Sequence, residues 1–284
     1  VITNLYEKNV TDEQKALAIN KIVDYVNRQI GEFPHDKILI SQKDYDRNPL
    51  YGLNQLPSFI RPFSNEFTFE IKFLKIYLEE YLKKSLKLDP RKDHWIYDAI
   101  QVYTMMESID TYNPGMKMFG HTNKYFFLNS YRLSSIEFNE QYNLYYLIMA
   151  RKNLDQSLIT SKDSLIKFNE KIAIKYRAGL SLKYLDSYLE NNMVNNSIQQ
   201  LYYNSKTQQV TANDFETILK GNSNKNIDWF FDTVVNTRDL IDYKFSDVNK
   251  TKDSISFTLN NKTNTKVPVP VYGIKSKEIV FKKW

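Results

Sequence analysis

After residue 242 the hydrophobic period of this chain changes, and that change limits the folds open to it. Up to that point apolar side chains recur at three- and four-residue intervals, the pattern of helices with one buried face. Beyond it, in "YKFSDVNKTKDSISFTLNNKTNTKVPVPVYGIKSKEIVFKKW", apolar and polar residues alternate as they do in strands. The fold class expected is mainly α with a small C-terminal β segment, dividing the chain into 1–243 and 244–284. With 284 residues the chain can bury a large core and can hold more than one domain.

The helical part opens at 12–30, where Ala16, Ile19, Ile22, Val23, Val26 and Ile30 share a face. Thr11 and Gln14 form a capping-box pattern before it, and Gly31 ends it. A short strand is expected at "HDKILISQ", then a loop marked by Pro49, Gly52 and Pro57. "NEFTFEIKFLKIYLEEYLKKS" (65–85) is the next helix, with Phe69, Phe73, Ile76 and Leu82 near helical spacing. Further helices are expected at 93–109, 135–154, 161–189, 193–205, 211–221 and 226–236, the last capped by Asn226 or Asp228. Gly179 is expected to break the longest of them, because glycine inside a helix costs about 1 kcal/mol relative to alanine. Strands are expected at 254–259, 267–272 and 278–281. Three strands make a meagre independent sheet, so they are expected to begin a β-sandwich or to pack on the helices.

Several chemistries are excluded by composition. There is no cysteine, hence no disulfide, thiolate nucleophile or Cys-based zinc site. The seven glycines are too scattered for a phosphate-binding loop, and no Gly-x-Ser-x-Gly elbow is present. No apolar run approaches the roughly 18–20 residues of a membrane span. The net charge of +6 comes from interspersed signs, which implies a Lys-rich solvated surface rather than a nucleic-acid groove. Glu79 and Glu80 read as solvated helix charges. The three histidines are His35, His94 and His121, and none lies in a His-Glu-x-x-His arrangement. His94 and Asp98 are four apart and read as a pair at a helix N-terminus. The chain opens on Val1 and closes on a strand-like segment, the pattern expected of a piece of a longer protein. Localisation is therefore left open, export to a periplasm or cell surface included.

Four segments, in order, resemble the zinc aminopeptidases of the aminopeptidase N family, the gluzincin type. "IGEFPHDKILI" matches the family's Gly-x-Phe/Tyr-Pro segment at Gly31, Phe33, Pro34 and Lys37. "HWIYDAIQVY" resembles the family's Trp-Leu-x-Glu-Gly-Phe-Ala-x-Tyr helix at Trp95, Asp98 and Tyr103. "KYRAGLSLKYL" resembles its Tyr-x-Lys-Gly helix at Tyr176 and Gly179. "TANDFETIL" and "NIDWFFDTVVN" resemble its closing helices at Asp214, Phe215, Asp228, Trp229, Phe230 and Phe231.

The resemblance implies a thermolysin-like or gluzincin-like helical lobe for the first 243 residues. It also implies a site. In that family a His-Glu-x-x-His helix and a second Glu bind zinc, the first Glu acts as general base and a Tyr stabilises the oxyanion. Carried over here, Glu70 falls at the base and Tyr176 at the oxyanion position. Phe69, Phe73 and Asp98 occupy the three ligand positions, and Gly52 and Gln55 stand in the substrate-binding strand. With both imidazoles replaced by phenyl rings, no zinc or other cofactor is expected.

The function implied is a zinc-free pseudopeptidase that retains peptide or protein-segment binding, without nucleic acid and without a membrane span. Two alternatives stay open: an active zinc aminopeptidase with unusual ligands, and a purely structural helical module of a larger exported protein. A buried carboxylate without a counter-charge is costly, so Lys72 or another Lys or Arg is expected beside Asp98 or Glu70.

Overall fold

The computed structural model describes residues 1–47, 62–120, 133–252, 254–276 and 278–284. Strand β1 (Ile2–Thr3) pairs in parallel with β2 (Leu39–Ile40), and helix α1 (Asp12–Gln29) lies between them in sequence. α1 has the expected capping box: the Thr11 hydroxyl accepts from the Gln14 backbone N–H while Gln14 accepts from the Thr11 N–H. After α2 (Gln42–Arg47) come α3 (Asn65–Ser85), capped by Ser64, and α4 (His94–Tyr112). α5 (Glu140–Ala150) precedes a π-helical turn, Asn169–Ala173, that runs directly into α6 (Ile174–Leu189). α7 (Met193–Thr207), α8 (Ala212–Asn222) and a second π-helical segment, Phe230–Val235, complete the helical part.

α4 is the central helix. Its buried side chains occur all the way round, from Trp95 and Ile96 to Met105 and Ile109, because neighbours cover every face. α3 packs on one side and α6 on another. The α4–α6 crossing explains why Gly179 does not break its helix. A Cβ at this position would lie 2.4 Å from Val102 Cβ and 3.1 Å from the Tyr103 nitrogen, so glycine lets the two backbones approach. Tertiary packing here outweighs helix propensity. Gly31 has a related role: its φ of +145° suits glycine, and an added Cβ would meet the Tyr202 ring at 2.3 Å.

The C-terminal β segment is two separate antiparallel hairpins, β3 (Tyr243–Lys250) with β4 (Ile255–Asn261), and β5 (Val271–Lys275) with β6 (Glu278–Lys283). β3 was not expected, because a register shift between Ser246 and Asn249, with Asp247 at φ +50°, interrupts its alternation. The strand expected at 267–272 starts late, since Pro268 and Pro270 have no N–H to give a ladder.

The second hairpin docks on the helices through an aromatic box. The rings of Tyr184 and Tyr188 from α6 meet Trp229 and Trp284, each neighbouring pair edge-to-face at 5.2–5.8 Å. Tyr184 also donates to the Pro268 carbonyl, and Lys282 reaches the Ser187 carbonyl at 3.2 Å. The molecule is thus mainly α with a small C-terminal β segment, and no helix among the described residues is long and apolar enough to cross a membrane.

Candidate functional site: a cationic cleft between three helices

Phe69 and Phe73 are fully buried, and their rings form part of a ladder. Tyr45, Phe69, Phe73, Tyr77, Tyr81 and Tyr202 follow one another with centroids 5.8–6.2 Å apart. Four of these six sit at every fourth position of α3, so the FEIKF pair is the start of a longer core stripe. The polar tips are satisfied at the edges: Tyr81 donates to the Gly31 carbonyl at 2.6 Å and Tyr45 to Glu7 at 2.6 Å.

Glu70 faces elsewhere. It pairs with Lys21 of α1 at 2.6 Å, in a shallow depression between α1 and α3. Lys72 turns to Glu7 at 3.6 Å and lies over the Tyr45 ring. Asp98 sits on the far side of α3, in a cleft that α3 lines with Lys75 and Glu79. Those two residues lie about 140° and 180° around the helix from Glu70, and Phe69 is about 15 Å along the axis from Glu79. The residues expected to converge therefore divide. Asp98 and Tyr176 line adjoining parts of one cleft, Glu70 lies on another face, and Phe69 and Phe73 are core. Gly52, Gln55 and His121 lie outside the described residues.

The cleft has two contiguous parts that share Glu79, Gln101, Lys162 and Lys175 in their walls. Its outer part, about 480 Å3, runs along the ends of α3 and α4; the inner part, about 250 Å3, reaches Tyr142 and Tyr176. The Lys175 Nζ lies 3.1 Å from one Asp98 oxygen, and His94 Nδ1 lies 3.4 Å from the other. The other His94 ring nitrogen faces the Thr160 carbonyl at 2.9 Å. Burial pushes the Asp98 carboxyl up, but the Lys175 charge and the His94 hydrogen bond outweigh it and hold the group below the usual carboxylate range. Gln101 donates to the Lys75 carbonyl at 2.7 Å, joining α4 to α3 across the cleft floor.

Two cations carry unusual weight. Lys175 stands on the first turn of α6, just after the π-helical turn, where an extra residue per turn re-aims the side chains that follow. The Lys75 ammonium is lowered to about 8, by burial first and then by repulsion from Lys175. Tyr176 beside them is half-buried, edge-on to Tyr142 at 4.8 Å and to Tyr145 at 6.0 Å.

Lys75, Gln101 and Lys175 were not candidates on sequence. On α3, α4 and α6 they carry no local signal of a site, and only the packing of the three helices gathers them. Glu79, expected to be a solvated charge, is half-buried in the wall and salt-bridged to Lys83 at 2.7 Å.

No family model, curated protein or solved structure matches the chain. The fold and the cleft define it as a mainly helical protein with two C-terminal hairpins and a lysine-rich cleft around one neutralised carboxylate.

Proposed function

We propose that the chain is a non-hydrolytic binding domain, a metallopeptidase-like helical lobe without a working metal, that holds peptide or protein segments in the cleft between α3, α4 and α6. The observation that carries this is the 3.1 Å contact of Lys175 with Asp98. The ammonium stands against one Asp98 oxygen and an imidazole against the other, so the carboxylate is neutralised without a divalent ion. Hydrolysis would also need a base beside the bound carbonyl, and Glu70 faces α1 instead.

Purified protein incubated with zinc and then dialysed is expected to hold far less than one equivalent and to leave peptides intact. A peptide library is expected to yield binders by fluorescence polarisation. Near-stoichiometric zinc with chelator-sensitive cleavage would overturn the proposal in favour of an active aminopeptidase. The double variant Phe69→His/Phe73→His restores the letters of His-Glu-x-x-His in α3. It is expected to lose stability and gain no zinc, because both positions are dry core; zinc capture would restore the family's register to this helix.

A second possibility is a structural module of a larger assembly. It is supported by the ties that the Asp98 cluster makes between α4, α6 and the Thr160 carbonyl. A folded protein that binds no library peptide would favour that role.

A further inference from the structure

We propose that the two C-terminal hairpins dock on an anionic lipid surface, with their exposed apolar side chains at the headgroup boundary and their lysines against the headgroups. The excess charge of the chain is concentrated in this segment. Residues 244–284 carry nine lysines against three acidic side chains, an excess of six that equals the net charge of the whole chain, so the helical part is balanced. Among the described residues, the one lysine of this segment with an ion pair is Lys282, 3.7 Å from Glu190. Lys244, Lys250, Lys252 and Lys275 are all exposed.

The hairpins are also amphipathic, in the opposite sense to the helices. On β3–β4, Phe245, Ile255 and Phe257 share one face, their two rings edge-to-face at 4.9 Å, while Lys244, Ser246, Ser256 and Thr258 share the other. The apolar face is the uncovered one: Phe245 is 50% exposed, Ile255 60% and Phe257 41%. At the free end of β5–β6, Ile274 pairs with Ile279 next to the pair of Lys275 and Glu278, and both isoleucines are more than half exposed. A two-stranded hairpin has too little apolar area of its own to be stable without cover. Charge decides what covers it. A second copy would set six excess positive charges against six. Anionic lipid answers both features at once: headgroups attract the lysines, and the phenylalanine and isoleucine side chains enter the acyl boundary. The lysines run from Lys244 to Lys283 with no single focus, which suits a continuous anionic surface better than one acidic segment of a protein.

Co-sedimentation tests this with vesicles of phosphatidylcholine alone and of phosphatidylcholine with phosphatidylserine, roughly 3:1. The mixed vesicles are expected to hold the chain at least about tenfold more strongly than the neutral ones, and added salt is expected to erase the difference. Phe257→Ser is expected to weaken binding several-fold through the lost apolar contact. The double variant Lys250→Gln/Lys252→Gln is expected to weaken it by more than about tenfold, since each lysine near such a surface is worth about fivefold. Lys152→Gln, just after α5 in the helical part, leaves it unchanged. Small bicelles of the mixed composition with a paramagnetic headgroup supply a second readout on the unaltered protein, in case a hairpin variant does not fold. Backbone signals of β3 and β4 should broaden there while those of α3 and α4 keep their intensity.

Folded protein that ignores both vesicles, or binds both equally, would overturn the lipid surface. A dimer in sedimentation velocity that Phe257→Ser dissolves would give the apolar face to a second copy instead. Tighter binding of polyglutamate than of the mixed vesicles would assign the lysines to an acidic protein.

Discussion

Asp98 and Lys175 are a pair whose value lies in what each spares the other. Asp98 is almost fully buried, and an ionised carboxylate there without a cation would be costly. Lys175→Met is therefore expected to destabilise the fold by about 3–5 kcal/mol, the usual penalty for stranding one partner of a buried pair. Adding Asp98→Asn should recover most of that loss in urea unfolding, and additive losses would show that the two residues do not act as a pair. Lys75 gives a pH signature. Its ammonium is lowered to about 8 in the folded chain, by burial and by Lys175, against the ordinary lysine value of 10.5 when unfolded. Lys72 and Glu79 from its own helix also act on it, and Arg47, Glu170 and Lys171 share the wall around it. Between those two values the unfolded state binds more protons, so stability contributed by this site rises with pH from about 8 towards 10.5. The difference in unfolding free energy between the native chain and Lys75→Met should shrink over that window; a flat difference would mean that Lys75 is not held in a desolvated place.

Helices carried most of their outline in the sequence, because a buried face imposes a period and caps impose an end. Thr11 with Gln14, and Thr211 with Asp214, close capping boxes at the starts of α1 and α8. What the period could not show was which apolar face meets which neighbour. Gly179 is the clearest case: read along one helix it is a breaker, and read across two it is the contact that lets α6 lie against α4. Gly179→Ala is expected to lose about 1–3 kcal/mol through overpacking against Val102, although alanine is the better helix former. A stabilised variant in chemical denaturation would mean that α4 and α6 have room to spare. The FEIKF pair illustrates the same limit. Phenyl rings four apart fit a vanished ligand pair and a core ladder equally well, and only Tyr45, Tyr77 and Tyr81 on either side reveal the ladder.

At the scale of the molecule, the cleft was illegible in the sequence because its walls come from residues 47 to 176 and meet only after three helices pack. Asp98 and Tyr176 were found through a resemblance; Lys175, one residue from Tyr176, carries no local signal. The hairpins were legible as alternation, but their attachment was not. Of the two, β5–β6 has the aromatic box to hold it, and both expose apolar side chains such as Phe257 and Ile279. Trp284→Ala is expected to raise hydrogen exchange in β5 and β6 while protection in α3, α4 and α6 stays as it was, since this hairpin is attached from outside the helical core. A uniform loss of protection would instead make the hairpin part of the cooperative core. The same box has an optical consequence. Of the three tryptophans, Trp95 is sealed in the interior beside Phe215, whereas Trp229 and Trp284 share the box and are only half-buried. The chain thus carries two intrinsic fluorophore populations, a blue-emitting one that reports on the helices and a redder pair that reports on the hairpin, so the release of one from the other can be followed without any added label.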